Sequence, residues 1–368
     1  MFKLLFRSFS WFQMLYQRKM ELNFFKKKIT CNYKNLEVHR TLSKEQKQEV
    51  QAFYKSMIGR EIDLYSHEYF YSRTGVFTKE YVPTNLYHSE ILPRANMHPF
   101  NEAYGDKNMC DILFPKDKVA HTILKNMNGY FYLEGKPVSE DEALAFCRNI
   151  DDVVIKPSMA FSGEGVQSLT VKDGKTNIDD LTIGQLFKKY DKNWLIQRKV
   201  RQHAGMSALN PSSVNTLRVL SYRSGMEVLI IYTVVRIGRK GQVIDNQCAG
   251  GISTTVSKNG KLGKYAFGGY TIDNIEKTDS GIVLDGYQVP SFDKAIEFVK
   301  ELHLYLPFFN LVGWDVAIQE NGEPILIEWN ARPGLSQSAF CSGMGEYTER
   351  IIRELWPKIN TKHPDWPK

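Results

Sequence analysis

The chain has 368 residues, 48 Lys/Arg against 41 Asp/Glu for a formal net charge of +7, and 42% hydrophobic residues. That length allows two or three packed units with sizeable cores, and the composition excludes a fibrous, low-complexity or disordered chain. The five cysteines, Cys31, Cys110, Cys147, Cys248 and Cys341, are scattered with no C-x-x-C pair, and the eight histidines lack metal-binding spacing, which argues against zinc and for a reducing compartment.

In chain order, residues 1–40 come first and hold nine Lys/Arg (Lys3, Arg7, Arg18, Lys19, Lys26, Lys27, Lys28, Lys34, Arg40) against Glu21 and Glu37, so this segment carries all of the excess charge. Phe6, Trp11, Phe12, Phe24 and Phe25 make it aromatic as well. Lys3, Arg7 and Gln13 interrupt its apolar stretches and no small-residue cleavage site follows, so neither a signal peptide nor a spanning helix is expected. A basic amphipathic segment of this kind suits an anionic membrane surface met through residues 1–30. Packing on the protein's own body or a partner competes with that, and nucleic acid is not expected.

Residues 41–59 read as a helix, with Ser43 as N-cap, Gln46 three positions on, and Gly59 as the stop. Residues 60–105 look irregular and aromatic, an accessory or substrate-facing region. From Asp106 strands alternate with helices. Strands are expected over 153–157 and 168–171, a helix over 183–190, and a strand over 194–200 that runs into a linker. Strands over 216–223 and 228–237 follow, then helices over 291–304 and 347–355. The pattern implies α+β lobes, not a doubly wound sheet.

Residues 313–330 carry the strongest signal. Asn321-Gly322 flanked by alternating apolar residues marks a hairpin with a two-residue turn. Counting back from Glu320 opposite Glu323 sets Asp315 directly across from Glu328, roughly 4.5–5.5 Å apart at Cβ, with Asn330 on the same face. Val316, Ile318, Ile325, Ile327 and Trp329 form the apolar face. Opposed like charges destabilise a sheet, and a hard divalent cation such as Mg²⁺ beside a phosphate-bearing substrate compensates them most simply. A merely solvated outer face is the competing reading at this point.

Two lysines stand out upstream. Lys156 ends an apolar strand before a loop with Ser162, Gly163 and Gly165, whose backbone N–H groups can approach phosphates, although the Walker spacing is absent. Lys107 follows Gly105-Asp106. The order of Lys107, Ile155-Lys156-Pro157 with its Ser/Gly loop, the strand 194–200 running into a linker, Asp315, Glu328, Asn330 and Pro333-Gly334 resembles the ATP-grasp superfamily, in a layout similar to D-alanine:D-alanine ligase. With Asn215-Thr-Leu-Arg218 and Gly250-Gly-Ile252 the chain is most similar to the sugar-transfer-associated ATP-grasp group, over about residues 105–340.

The resemblance implies an ATP-grasp fold, two α+β lobes clasping ATP. Its expected divisions are a basic segment at 1–40, an accessory region at 41–105, an N-lobe at 106–200, a C-lobe at 201–355 and a tail at 356–368. It implies that Lys107 and Lys156 hold ATP phosphates under a lid at 161–165, and that Gln197, Arg198, Lys199 and Val200 form the hinge that hydrogen-bonds adenine. Asp315, Glu328 and Asn330 correspond to the magnesium ligands, Glu328 bridging two ions with Mn²⁺ as an alternative metal, and Arg218 to the basic residue near the γ-phosphate. Gln197 departs from the Glu of many members, and no acid follows where ribose hydroxyls are usually held.

The residues fit the chemistry independently, because phosphoryl transfer to a carboxylate depends mainly on positioning and cations. Arg332 could orient the carboxylate bidentately, Ser336 and Ser338 could bond substrate, and 250–255 could present backbone donors or only turn. Arg218, Lys156 and Arg332 are therefore the expected catalytic residues. The reading is an ATP-dependent carboxylate-amine ligase joining an amino acid or other amine to a sugar acid of a surface polysaccharide, cytoplasmic and peripheral at the inner face of the membrane. A small-molecule kinase and a non-catalytic ATP-binding regulator are the alternatives.

Overall fold

The computed structural model describes residues 2–160, 163–239, 241, 245, 250–268 and 274–356, with the backbone alone for 2–15, 17 and 18. Ser162 and Cys248 lie outside the described residues; Cys31, Cys110, Cys147 and Cys341 are free thiols.

No described strand precedes residue 122. The chain opens with α1 (Phe2–Lys34), α2 (Lys44–Ile58) and α3 (Tyr65–Thr74). α2 starts where its cap dictates: the Ser43 side chain accepts from the Gln46 N–H at 3.2 Å, and Gln46 returns a bond to the Ser43 N–H at 2.9 Å. Gly59, at φ 75°, ends it in the left-handed conformation that favours glycine. Residues 60–105 are more regular than expected, for α3 is followed by the consecutive helical turns Thr84–Leu86, Tyr87–Ile91 and Leu92–Ala95. Their aromatic and aliphatic side chains, Tyr87, Ile91 and Leu92 among them, are buried, which the lack of a single long period conceals.

Two antiparallel sheets follow. The first comprises β1 (Thr122–Met127), β2 (Tyr130–Leu133), β3 (Lys136–Val138), β4 (Ile150–Pro157), β5 (Gln167–Lys172), β6 (Lys175–Thr176) and β7 (Trp194–Arg198), in the order β3-β2-β1-β7-β4-β5-β6. The amphipathic helix Ile183–Tyr190 packs Leu186 and Phe187 against Ile155, Leu169 and Trp194 to close its core. The second comprises β8 (Thr216–Ser224), β9 (Glu227–Ile237), β10 (Ile252–Val256), β11 (Leu262–Gly268), β12 (Leu311–Ile318) and β13 (Pro324–Asn330), in the order β11-β10-β9-β8-β12-β13. Two clusters flank this sheet. In one, Phe298, Val299 and Leu302 of helix Phe292–His303 meet Val219, Trp314 and Val316. In the other, Val50, Tyr54 and Met57 of α2, with Ile351 and Ile352 of helix Thr348–Leu355, meet Leu220, Tyr222 and Leu311. Every residue of β12 is consequently buried, so the reading of a solvated hairpin face fails for this strand.

The hairpin register is correct at the carboxylates but not at the turn. Asp315 pairs with Glu328 and Gly313 with Asn330, yet Ile318 pairs with Pro324 where a two-residue turn demands Ile325. Gly322, at φ 81°, donates to the Gln319 carbonyl at 2.8 Å, and Gln319 N–H donates to the Glu323 carbonyl at 2.9 Å. The connection is thus a three-residue loop with a left-handed glycine, one residue longer than expected. A bulge between Asp315 and Val316 restores the register by inserting Ile327 opposite no partner. Ile327 leaves the apolar face and lines the cavity described below.

The second half of α1 lies on the protein's own body. Ile29 is buried with Tyr69, Phe70 and Tyr81, and the Phe25 ring stacks on His88 at 3.8 Å and 9°. Among the described residues no helix is long and apolar enough to cross a membrane.

Candidate active site

A cavity of about 650 Å³ lies between the sheets, walled by β4 and β7 on one side and by β9, β12 and β13 on the other. Strand alternation explains which side chains reach it. On β8, Leu217 and Val219 face a core, so Arg218 between them faces the opposite way.

The first wall is cationic. Lys156, on β4 next to Pro157, is buried, and burial lowers its pKa, with Lys107 adding to the effect and Glu328 opposing it. Among the described residues Lys156 has charged neighbours but no hydrogen-bonding partner. Lys107 sits in the turn Lys107–Met109, which is opened by Asp106 accepting the Asn108 N–H at 2.9 Å. Its backbone N–H donates to the Ser158 carbonyl at 3.2 Å, and its ammonium donates to the Ala160 carbonyl at 2.7 Å. The same ammonium pairs with Glu328 at 3.2 Å, linking the two walls. Gly163 and Gly165 both have positive φ, and a Cβ on Gly165 would meet Pro157 Cγ at 2.7 Å, so the glycine permits this close return of the loop. The Tyr190 hydroxyl fixes the loop end by donating to the Gly165 carbonyl at 2.6 Å.

At the hinge, the donors expected for adenine are largely committed. The Gln197 side-chain amide donates to the Ala120 carbonyl at 3.1 Å and the Thr122 hydroxyl at 2.8 Å. The backbone N–H groups of Arg198 and Lys199 donate to His121 and Asp152, each at 2.9 Å. Those three donors therefore serve the fold of β7 and its neighbours, while Gln197, Arg198, Lys199 and Val200 all line the cavity.

The second wall is built on Asp315. Arg218 forks onto it, Nε to Oδ1 and Nη2 to Oδ2, both at 2.6 Å, as register-opposed residues of β8 and β12. Arg236, reaching across β8 from β9, places Nη1 3.2 and 3.1 Å from the same two oxygens. Burial would raise the Asp315 carboxyl, but the two guanidiniums outweigh it and hold it below the ordinary carboxylate value. Asp245 also lines the cavity, accepting from the Thr216 backbone and hydroxyl; burial raises its carboxyl against the pull of Arg236. Arg236, Asp245 and Thr216 escaped the sequence reading. Arg236 had a signal, as the only charge in the apolar run 228–237.

The donor set fits magnesium. Among the described residues no three His, Cys, Asp or Glu side chains cluster as a metal site. Two opposed carboxylates and an amide nevertheless suit Mg²⁺, which keeps waters and takes oxygens from substrate phosphates. The Asn330 side-chain nitrogen is buried without a partner, and turning that amide presents its oxygen, an acceptor suited to a cation.

Arg332 is not aimed freely at a substrate. It pairs with Glu21 of α1 at 2.8 Å, half-exposed, close to His88, whose pKa falls to about 4 through burial and then the Arg332 and Lys28 charges. The loop after β13 is tied by the Tyr87 hydroxyl donating to the Pro333 carbonyl at 2.6 Å, and by Tyr232, whose hydroxyl donates to the Gly334 carbonyl and accepts from the Ser336 N–H, both at 2.9 Å. Residues 252–256 are strand β10, not a donor-presenting turn.

Two sheets gripping a cavity lined by lysines, arginines and paired carboxylates make up an ATP-grasp fold. The family described as sugar-transfer associated ATP-grasp matches residues 89–350, and the chain belongs to it. Solved structures with a similar fold include an L-amino acid ligase from Bacillus licheniformis (11% identity, 68% of this chain and 48% of that one, TM-score 0.38). A biotin carboxylase from Campylobacter jejuni (10%, 70% and 47%, 0.41) and a D-alanine–D-alanine ligase from Bacillus anthracis (15%, 68% and 66%, 0.37) are also similar. The chain spans about half the length of the first two. Comparison with curated proteins finds no match.

Proposed function

We propose that this protein is an ATP-dependent carboxylate-amine ligase, using Mg²⁺ and releasing ADP and phosphate. The observation that carries the reading is one cavity lined by Lys107, Lys156, Arg236, Asp315 and Glu328, with Arg218 forked onto Asp315. Lys107 and Lys156 neutralise the nucleotide phosphates; Asp315, Glu328 and Asn330 would hold the metal, which when bound would supply charge neutralisation at the transferred group. A substrate carboxylate oxygen attacks the γ-phosphorus and ADP leaves. The amine nitrogen then attacks the acyl carbon, loses its proton, and phosphate departs. Arg218 steadies the transferred phosphoryl group, while Arg332, once free of Glu21, orients a carboxylate.

The family's link to sugar transfer supports a sugar acid as carboxylate and an amino acid or other amine as nucleophile, in surface polysaccharide assembly. The lysines of α1, with the exposed side chains of Tyr16, Met20 and Phe24, support work beside an anionic membrane. ADP and phosphate are measured together across a panel of sugar acids and amino acids. The ligase releases both in equal amounts only when acid and amine are present. ADP without phosphate points to a kinase, and no turnover with any pair points to a regulatory binder.

A further inference from the structure

Asp315 serves two demands that conflict. As a metal ligand it needs a free oxygen, yet both its oxygens are bound by guanidiniums, in four contacts of 2.6 to 3.2 Å. The contacts are unequal. Arg218 makes the short, planar fork from the adjacent strand, whereas Arg236 reaches from a strand further and straddles both oxygens with a single nitrogen. Arg236 also has a second carboxylate neighbour in Asp245, so it is not stranded when it leaves Asp315. Its side chain alone has to move, because β8, β9 and β12 are continuously paired through this region.

We propose that Arg236 occupies Asp315 in the nucleotide-free protein and exchanges it for the transferred phosphoryl group when nucleotide and metal arrive. A cation seated on Asp315 beside two guanidiniums meets repulsion, and polyphosphate supplies the anion that relieves it. Metal and nucleotide therefore raise each other's affinity by the same factor, as linkage requires. The inference rests on the metal reading of Asp315, Glu328 and Asn330, and extends it to how that site is kept closed to metal alone.

The test is Mn²⁺ binding, read as protein-retained Mn²⁺ after ultrafiltration against a protein-free control, with and without the imido analogue of ATP. Wild-type protein binds Mn²⁺ weakly alone and tightly with the analogue. In Arg236→Gln, removal of a charged hydrogen bond to Asp315 tightens nucleotide-free Mn²⁺ binding about tenfold and shrinks the coupling by a similar factor. An arginine with only a structural role would leave that affinity unchanged or weaken it, and either result overturns the inference. Arg236→Lys keeps the charge but loses the guanidinium that straddles both Asp315 oxygens, and provides the same reading if the glutamine variant does not fold: intermediate tightening supports the exchange, and none overturns it. Wild-type protein that takes up no Mn²⁺ even with the analogue overturns the metal reading and this inference together. Uptake that Arg236→Gln leaves unchanged overturns this inference alone.

Discussion

The two walls of the cavity handle buried charge in opposite ways. On the β4 wall Lys156 is buried beside another cation, Lys107, and burial lowers its pKa. On the β12 wall Asp315 is equally buried, yet both its oxygens are bonded and its carboxyl is held below the ordinary value. The lysine wall is electrostatically incomplete until an anion enters, whereas the carboxylate wall is already neutralised by protein. Nucleotide-free stability is therefore supplied by the second wall and reduced by the first.

Breaking the bridge between the walls has the largest expected effect. Glu328→Gln removes the partner of Lys107 and, on the proposed function, a metal ligand, and lowers ADP release about 10³-fold, as loss of a preorganised electrostatic contact does. Unchanged activity and magnesium dependence would remove Glu328 from the site. Asp315→Asn leaves the partly buried Arg218 and Arg236 without their full counter-charge and costs about 3 kcal/mol in urea unfolding. Because the Asp315 carboxyl is lowered in the folded state, its contribution is present above the ordinary carboxylate value and is lost as pH falls through the depressed one.

Acid sharpens the contrast further, since buried neutral histidines lose stability in a separate window. His67, His88 and His303 titrate near 4 instead of 6.5, chiefly through burial. Each unfolded histidine gains a proton first, so each costs roughly 3 kcal/mol or less between those values as pH falls. Urea midpoints at successive pH values separate this loss from the lower window of Asp315. The smallest effect belongs to the half-exposed pair of Glu21 and Arg332, worth under about 1 kcal/mol. Glu21→Gln increases hydrogen exchange in 21–34 and leaves nucleotide affinity unchanged; reduced affinity would tie α1 to the cavity.

The hairpin illustrates how legible the site was. Asp315 opposite Glu328 followed from counting, yet the count succeeded because two unseen features cancel: a loop one residue longer and a bulge at Ile327. Neither breaks the alternating pattern from which the register was read. The caps of α2 were legible because Ser43, Gln46 and Gly59 act locally. The Arg236 contact was not, since it depends on β9 lying two strands from β12. The bonds of the Gln197 side chain were not legible for a similar reason: they meet Thr122 of β1, which adjoins β7 only in the folded sheet. The docking of α1 through Ile29 and Phe25 likewise depends on partners, Tyr69 and His88, that no periodicity reveals.

Lys156→Met tests the contrast most directly, with melting temperature followed with and without saturating MgADP. A buried cation lacking a hydrogen-bonding partner is replaced by an apolar chain of similar volume, so the nucleotide-free variant melts above wild type. Wild type rises by the amount expected for ligand near 100 times its Kd, about 2.7 kcal/mol, and the variant gains almost nothing. A variant that melts below wild type, or that still gains the full MgADP shift, would contradict a lysine wall that is completed only by the nucleotide.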